Sequence, residues 1–465
     1  MDGLYLSAAW KSSGKTTLSI GLIAALRARG RRVQPFKKGP DYIDPMWLGV
    51  AAGRACRNLD PRLQEGGLAA YYARHAAGSD FAFVEGSLGL HDGFSLDGSD
   101  SNAAVAKALG LPVVLVLDGR SLTRGIAAIL KGLQAFDPGV TIAGAILNRV
   151  ASSRHEGKLR AAIEAYSDVP VLGAFAESAA LSLVERHLGL MPSNEALEPQ
   201  RTAERLAGVV AESLDLDRFE AIARGARAVA PIEPIRPRPV PTSAGPVVAI
   251  ARDRAFGFYY PDDLEALEAA GAKLMPVDMV RDSSLRGADA LFLGGGFPEM
   301  LARALESNVA MRESVRRAAE GGMPIYAECG GLMYLARTLS HEGETHAMAG
   351  VLPLDVVMRV RPVGKGYVTL EETANHPWPR GAGAVLGHEF HYSEVQNADP
   401  SLRYAYRVTR GHGVVPGHDG VVLGNVLASY AHLRCVGGED WGHRFVAFVR
   451  GRSETARRAG GGLAW

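Results

Sequence analysis

Six of the sixteen residues from 231 to 246 are proline: Pro231, Pro234, Pro237, Pro239, Pro241 and Pro246. Proline lacks a backbone N–H and holds φ fixed, so neither a helix interior nor a central strand crosses this stretch. It should be an extended, semi-rigid connector. The chain has 465 residues, which is too long for one ordinary core and suits two domains. The expected division is a first domain over 1–230, a linker over 231–246, a second domain over 247–450 and a mobile Arg-, Gly- and Ala-rich tail over 451–465.

Both halves share one grammar. In the first, apolar runs at 4–9, 32–36, 81–84, 112–117, 142–147 and 169–174 alternate with helical spacing. That pattern predicts buried parallel strands with crossover helices, an α/β fold. In the second, runs at 247–251, 273–277, 288–293 and 323–327 flank helices over 261–270 and 303–320. Later runs at 366–370, 404–408 and 426–430 suggest added antiparallel strands.

Composition excludes several classes. The net charge of +1 gives no global field to recruit nucleic acid, and no basic stripe appears. Three cysteines, Cys56, Cys329 and Cys435, form neither a disulfide framework nor a metal cluster, which fits a reducing cytoplasm. Lys11 and Lys15 interrupt the first apolar run, so a signal peptide is not expected. No apolar run approaches the roughly 20 residues that span a bilayer, so no membrane partner is expected.

Ala9-Trp10-Lys11-Ser12-Ser13-Gly14-Lys15-Thr16-Thr17 follows the first strand and opens a helix. This is the setting of a phosphate-binding loop, although Ala9 stands where the usual first glycine would be. Backbone N–H groups would wrap the phosphates of ATP, with Ser13, Gly14 and Thr17 in the loop. Lys15 would reach the β and γ oxygens, and Thr16 would offer its hydroxyl to Mg²⁺. Strand ends supply metal-holding carboxylates: Asp41 and Asp44, Glu85 and Asp118. Lys37 and Lys38 can neutralise a phosphate or a carboxylated substrate. Asn148 ends another strand, and its amide can read a base edge.

Pro324-Ile-Tyr-Ala-Glu-Cys329-Gly-Gly-Leu-Met-Tyr carries a second chemistry. A strand runs straight into Cys329, two glycines follow, and a helix begins. That is the layout of a nucleophile elbow, with the helix N-terminus favouring a thiolate and Gly330 and Gly331 letting a substrate approach the backbone. The competing reading, a buried structural cysteine, leaves the paired glycines without a purpose. The base is expected to be His432, at the end of a strand, with His388 and His391 as rivals. Gly295 and Gly296, in Gly294-Gly-Gly-Phe-Pro-Glu299, would hold an oxyanion together with Gly330.

Taken in order, these segments resemble the cobyrinic acid a,c-diamide synthase family. The resemblance runs from Ser12-Ser-Gly-Lys-Thr-Thr17 through Gly39-Pro-Asp-Tyr-Ile-Asp-Pro45 and Glu85-Gly-xx-Gly-xx-Asp-Gly93 to Glu185-Arg-His-Leu-Gly-Leu190. It continues through Ala251-Arg-Asp-xx-Phe256-xx-Tyr-Tyr260, the triple glycine, the elbow and Gly387-His-Glu-Phe-His-Tyr-Ser393. It implies a dethiobiotin-synthetase-like P-loop domain followed by a class I glutamine amidotransferase domain. It also implies ATP, Mg²⁺ and L-glutamine as reactants, a tetrapyrrole polycarboxylate as substrate, and a homodimer. The matched motifs place Lys37, Asp41, Tyr42, Asp44, Gly89 and Asp92 at the substrate, and Thr16, Asp44 and Glu85 at the metal. Ammonia made in the second domain would have to reach the first.

Two departures stand out. The His-x-Glu of many class I amidotransferases is absent, because Leu433 and Arg434 follow His432. A Cys–His dyad, or orientation by some other group, is then implied. Met46, Trp47 and Arg57 differ from the pattern of corrinoid enzymes, so amidation of sirohaem or nickel-sirohydrochlorin is the alternative. A nearer rival is cobyric acid synthase, against which the Gly39–Pro45 match and the domain order speak; more remote alternatives are a regulatory P-loop ATPase and a non-catalytic glutamine sensor.

Overall fold

The computed structural model describes residues 1–178, 181, 183–186, 189–227, 245–379, 381 and 383–458. Of the expected linker only Gly245 and Pro246 fall among these; the rest of 231–246 lies outside the described residues. The chain forms two compact units, Met1–Ile235 and Arg236–Trp465.

The first unit is built on strands β1 (Asp2–Ala8), β2 (Val33–Lys38), β3 (Arg57–Leu59), β4 (Phe81–Glu85), β5 (Val113–Asp118), β6 (Ile142–Val150) and β7 (Val171–Ala176). They pair in the order β3-β2-β4-β1-β5-β6-β7, all parallel. Almost every residue of β1, β2, β4 and β5 is buried, as expected for strands covered on both faces. Helix Lys15–Ala28 packs Leu18, Leu22 and Leu26 into a core shared with Phe81, Phe83 and Phe219. A short antiparallel pair, β8 (Glu185–Arg186) and β9 (Gly189–Leu190), follows. The sequence pattern missed β3, whose three residues are too few to show a period.

The second unit begins with β10 (Val247–Ala251), β11 (Phe256–Phe258), β12 (Lys273–Val277), β13 (Ala290–Leu293), β14 (Gly295–Gly296) and β15 (Ile325–Glu328). Then come β16 (Thr338–His341), β17 (Glu344–Ala347), β18 (Asp355–Met358), β19 (Gly364–Glu372), β20 (Ala384–His391), β21 (Ser393–Gln396), β22 (Arg403–Arg410), β23 (His418–Leu423) and β24 (Val426–Ser429). A nine-stranded sheet runs β12-β10-β13-β15-β24-β23-β22-β19-β20. It is parallel from β12 to β24 and antiparallel from β24 onward. Strand alternation sorts its side chains into two cores. Leu291, Leu293, Ile325 and Ala327 face one, while Ala290, Phe292 and Tyr326 face the other with Trp378, Trp441 and Phe445. A smaller sheet, β17-β16-β18-β21, completes the unit.

Two expected boundaries shift. The helix expected over 303–320 is broken into Ala302–Ser307 and Val309–Glu320, because the Asn308 side chain accepts the Met311 N–H and caps the second piece. The tail expected from 451 does not start there. Helix Trp441–Arg458 is anchored by buried Trp441, Phe445, Val446 and Val449, and its backbone ladder carries it on to Arg458. Residues 459–465 lie outside the described residues.

Candidate active sites

In the first unit the chemistry gathers at the carboxyl ends of the parallel strands, where open α/β sheets bind ligands. After β1 the chain turns through a loop with Ser12 at φ 61° and Gly14 at φ 89°. Ser13 is buried and donates its hydroxyl to the Trp10 carbonyl at 2.8 Å. Asn148, at the corresponding end of β6, donates its amide N–H to the Ser13 carbonyl at 2.9 Å. A Cβ on Gly14 would lie 2.2 Å from that same amide nitrogen, so only glycine fits beneath it. Asn148 therefore braces the loop with one of its donors. It also lines, with Gly14, Thr17, Arg149 and Glu177, a cavity of about 490 Å³ beside the loop.

Lys15 is buried and donates to the Leu88 carbonyl. Burial, with Lys37 nearby, lowers its pKa to about 8. Thr16 Oγ1 lies 2.9 Å from Glu85 Oε1 and 3.2 Å from Asp44 Oδ2. Lys37 Nζ lies 2.6 Å from each of the same two carboxylate oxygens. The sheet register explains the convergence, since Lys37 on β2 is the rung partner of Glu85 on β4. Burial opposes the Lys37 charge, but Asp44, Glu85 and Asp41 outweigh it and hold the pKa well above the usual lysine value. For Asp44, burial is likewise overcome by Lys37 and the Thr16 hydroxyl, and its pKa is lowered. Asp41 is different: burial and the neighbouring Asp44 push it up to about 7. Its carboxylate accepts the Asp44 N–H at 3.1 Å, and Tyr42 precedes the helix Ile43–Ala52.

Four expected positions have local duties. Asp92 is exposed and accepts the Gly89 N–H at 3.0 Å. A Cβ on Gly89 would lie 2.5 Å from the Ala9 carbonyl, so this turn and the phosphate loop pack backbone to backbone. Asp118 is no open metal ligand: its Oδ2 is 2.8 Å from both Arg120 and Arg149. Trp47 is buried in the core and donates to the Met191 carbonyl at 2.8 Å. It holds a loop in place rather than facing a substrate, so it is a poor marker of specificity. Thr16, Asp44 and Glu85 form a hydroxyl-and-carboxylate donor set of the kind a hard divalent cation takes, and such a cation would have to displace the Lys37 ammonium that pairs with both carboxylate oxygens.

In the second unit β15 and β24 are adjacent and parallel, so the residues just past their ends meet. Cys329 has φ 47° and ψ −102°, the strained turn of a nucleophile elbow. Its N–H donates to the Ser429 carbonyl at 2.7 Å. Gly331 differs from expectation. A Cβ there would lie 2.2 Å from the Leu293 carbonyl, so this glycine is needed for the elbow to pack on β13, not for substrate approach. Gly295 and Gly296 bridge to Phe258 and Phe256. A Cβ on Gly330 would lie 3.0 Å from the Gly296 nitrogen, and one on Gly295 would lie 2.8 Å from His432 Cε1. The structure thus brings Cys329, Gly330, Gly295, Gly296 and His432 together.

His432 is buried and hydrogen-bonded to the Cys329 side chain and to Glu328, with Nδ1 3.0 Å from Glu328 Oε2. Burial disfavours a charged imidazole, but Cys329 and Glu328 prevail and push its pKa up to about 10. His388 stacks on the His432 ring at 5.1 Å. Burial, with His432 and Arg434 nearby, takes its pKa well below the usual value. His391 stacks on Tyr430 at 3.8 Å. Glu328, the residue just before the nucleophile, was missed by sequence reasoning, because no spacing rule links an acid there to a histidine 104 residues away.

The two sites and folds define a glutamine-dependent amidating ligase. Residues 11–190 match the CobQ/CobB/MinD/ParA nucleotide binding domain, and residues 247–439 match the CobB/CobQ-like glutamine amidotransferase domain. The cobyrinate a,c-diamide synthase of Magnetococcus marinus is 46% identical over 98% of this chain and 98% of its own length. Those of Listeria monocytogenes and Methanosarcina barkeri are each 41% identical, over 93% and 96% of this chain and 96% of their own lengths. The chain belongs to the cobyrinate a,c-diamide synthase family. Among the described residues, no helix is long and apolar enough to cross a membrane.

Proposed function

We propose that this protein amidates the a and c acetate carboxylates of cobyrinate, using ATP and glutamine. The observation that carries the reading is the 46% identity to a cobyrinate a,c-diamide synthase across both units.

A carboxylate does not react with ammonia at neutral pH, because oxide is a poor leaving group. Transfer of the γ-phosphoryl group of ATP to a carboxylate oxygen makes an acyl phosphate, whose phosphate can leave. The loop around Gly14 holds the phosphates, and Lys15 offsets the charge spreading over the transferred group. Binding requires Lys15 to exchange the Leu88 carbonyl for phosphate oxygen. Thr16, Asp44 and Glu85 would hold Mg²⁺, which when bound neutralises phosphate charge. Lys37 pairs with Asp44 and Glu85, and once those oxygens hold Mg²⁺ its ammonium would be released to meet a substrate carboxylate.

In the second unit Cys329 yields its thiol proton to His432, and its Sγ bonds to the amide carbon of glutamine. Donors at Gly330, Gly295 and Gly296 receive the oxyanion. The C–N bond then breaks, and His432 gives its proton to the departing ammonia. Water cleaves the thioester to glutamate and frees Cys329. Ammonia attacks the acyl phosphate, forming the amide and releasing phosphate. The reading makes the protein a cytoplasmic enzyme of small molecules, with a homodimer as its expected assembly.

The test is a mass-spectrometric assay with ATP, Mg²⁺ and glutamine, offering cobyrinate in one tube and sirohaem in another. Two amide substitutions on cobyrinate alone are expected. Amidation of sirohaem alone would overturn the substrate assignment.

A further inference from the structure

The position two residues past the catalytic histidine carries Arg434 instead of an acid, and that arginine is already committed. It pairs with Asp262 at 2.7 Å and lies over the Tyr260 ring at 4.9 Å. Glu328 supplies a carboxylate from a different direction. Strand alternation puts Glu328 on the same face as Tyr326, and the Tyr326 hydroxyl donates to Glu328 Oε1 at 2.7 Å. The Leu433 N–H donates to that same oxygen at 3.1 Å. The other oxygen, Oε2, is left to His432 Nδ1 at 3.0 Å. The carboxylate is buried, so its orientation is set by protein donors and not by water.

We propose that Glu328 is the positioning residue of the glutaminase centre, accepting from His432 Nδ1–H so that Nε2 faces Cys329 and carries the proton taken from it. The strand that delivers the nucleophile thereby also delivers the acid that orients its base. The proposal rests on the glutaminase reading above. The arrangement has a specific chemical consequence. A backbone N–H can only donate, so Leu433 requires an acceptor at Oε1. In Glu328→Gln the amide oxygen must take that place, and the amide nitrogen then faces His432 Nδ1. Two donors cannot share one bond, so the doubly protonated imidazole is disfavoured and the neutral ring is driven to the Nε2–H tautomer, which cannot accept a proton from Cys329. The side chain that best preserves shape should thus disable the base, a wrong-tautomer effect of the kind known for the aspartate of serine proteases.

The experiment measures glutaminase kcat and KM, ammonia-dependent amidation, the alkylation rate of Cys329 by iodoacetamide, and melting temperature. It compares full-length wild type with Glu328→Gln and with Tyr326→Phe, which removes only the hydroxyl bracing the carboxylate. For Glu328→Gln the expected result is a kcat lower by about 10²-fold or more with a near-normal KM. Alkylation should slow, ammonia-dependent amidation should persist and the melting temperature should stay close to wild type. Tyr326→Phe should show a smaller loss of the same kind. A Glu328→Gln enzyme that keeps its kcat overturns the proposal. So does a parallel loss of both nitrogen routes with a lowered melting temperature, which marks a merely structural role. Absence of glutaminase activity in wild type is a distinct result: it removes the glutaminase reading itself, and this assignment with it.

Discussion

Cys329 and Lys15 serve different nitrogen routes, and single substitutions should separate them. Cys329→Ala should lower glutamine-dependent amidation by about 10³-fold or more, while high ammonium restores amidation. Lys15→Ala should lower both routes by about 10²-fold or more, because the acyl phosphate is common to them. Side-by-side initial rates with glutamine and with ammonium chloride decide both cases. His432 gives a pH signature. Its pKa is raised from 6.5 to about 10 in the folded state. Its pairing thus adds stability that is fully present below the unfolded value and lost as pH rises through about 10. The melting-temperature gap between wild type and His432→Ala should narrow between about pH 6.5 and pH 10. At this scale Lys15 and Cys329 were legible, because each sits in a local motif whose neighbours in sequence are its neighbours in space. Glu328 was not, because its meaning comes from a partner strand.

Among the elements, the turn between β15 and helix Gly330–Leu335 tolerates little change. A methyl group at residue 331 would fall 2.2 Å from the Leu293 carbonyl, and backbone cannot yield as a flexible side chain does. Gly331→Ala should destabilise the second unit by about 1–3 kcal/mol or more and abolish glutamine use. Urea unfolding and a glutaminase assay would read both. The strands flanking this turn were legible because buried parallel strands are continuous apolar runs. Strands β20, β22 and β23 carry exposed Leu386, Arg407 and His418 among their buried residues. Such alternation is shorter-ranged and easily read as loop, and the pattern caught β22 only in part and missed the other two. Asn308 broke a helix that spacing alone would have run through, since a cap competes with continuation by a single side chain.

At the scale of the whole molecule, each unit has its own core, which predicts two unfolding transitions in calorimetry. MgATP should raise only the transition of the first unit. Trp441 is fully buried against Phe292 and Tyr326 at ring separations of 5.2 and 4.9 Å. Trp441→Ala should destabilise the second unit by about 3–5 kcal/mol while leaving the nucleotide-dependent shift intact. Loss of that shift in the variant would contradict independent cores. The proline-dense stretch made the existence of two folded parts legible. The end of the last helix was not, because the Arg-, Gly- and Ala-rich sequence after Val449 carries no apolar spacing to mark a helix.

The nucleophile and its base are held by one hydrogen-bonded rung, Glu328 to Ser429, between two strands that touch directly. The chain between them builds β16 to β23, including the small second sheet and the antiparallel extension. That intervening segment returns to the reaction centre through β20, where the His388 backbone exchanges hydrogen bonds of 2.8 and 3.1 Å with the His432 backbone. A change of length between β15 and β24 is therefore felt at the base unless β20 keeps its register, which ties the outer part of the sheet to the ammonia-releasing chemistry.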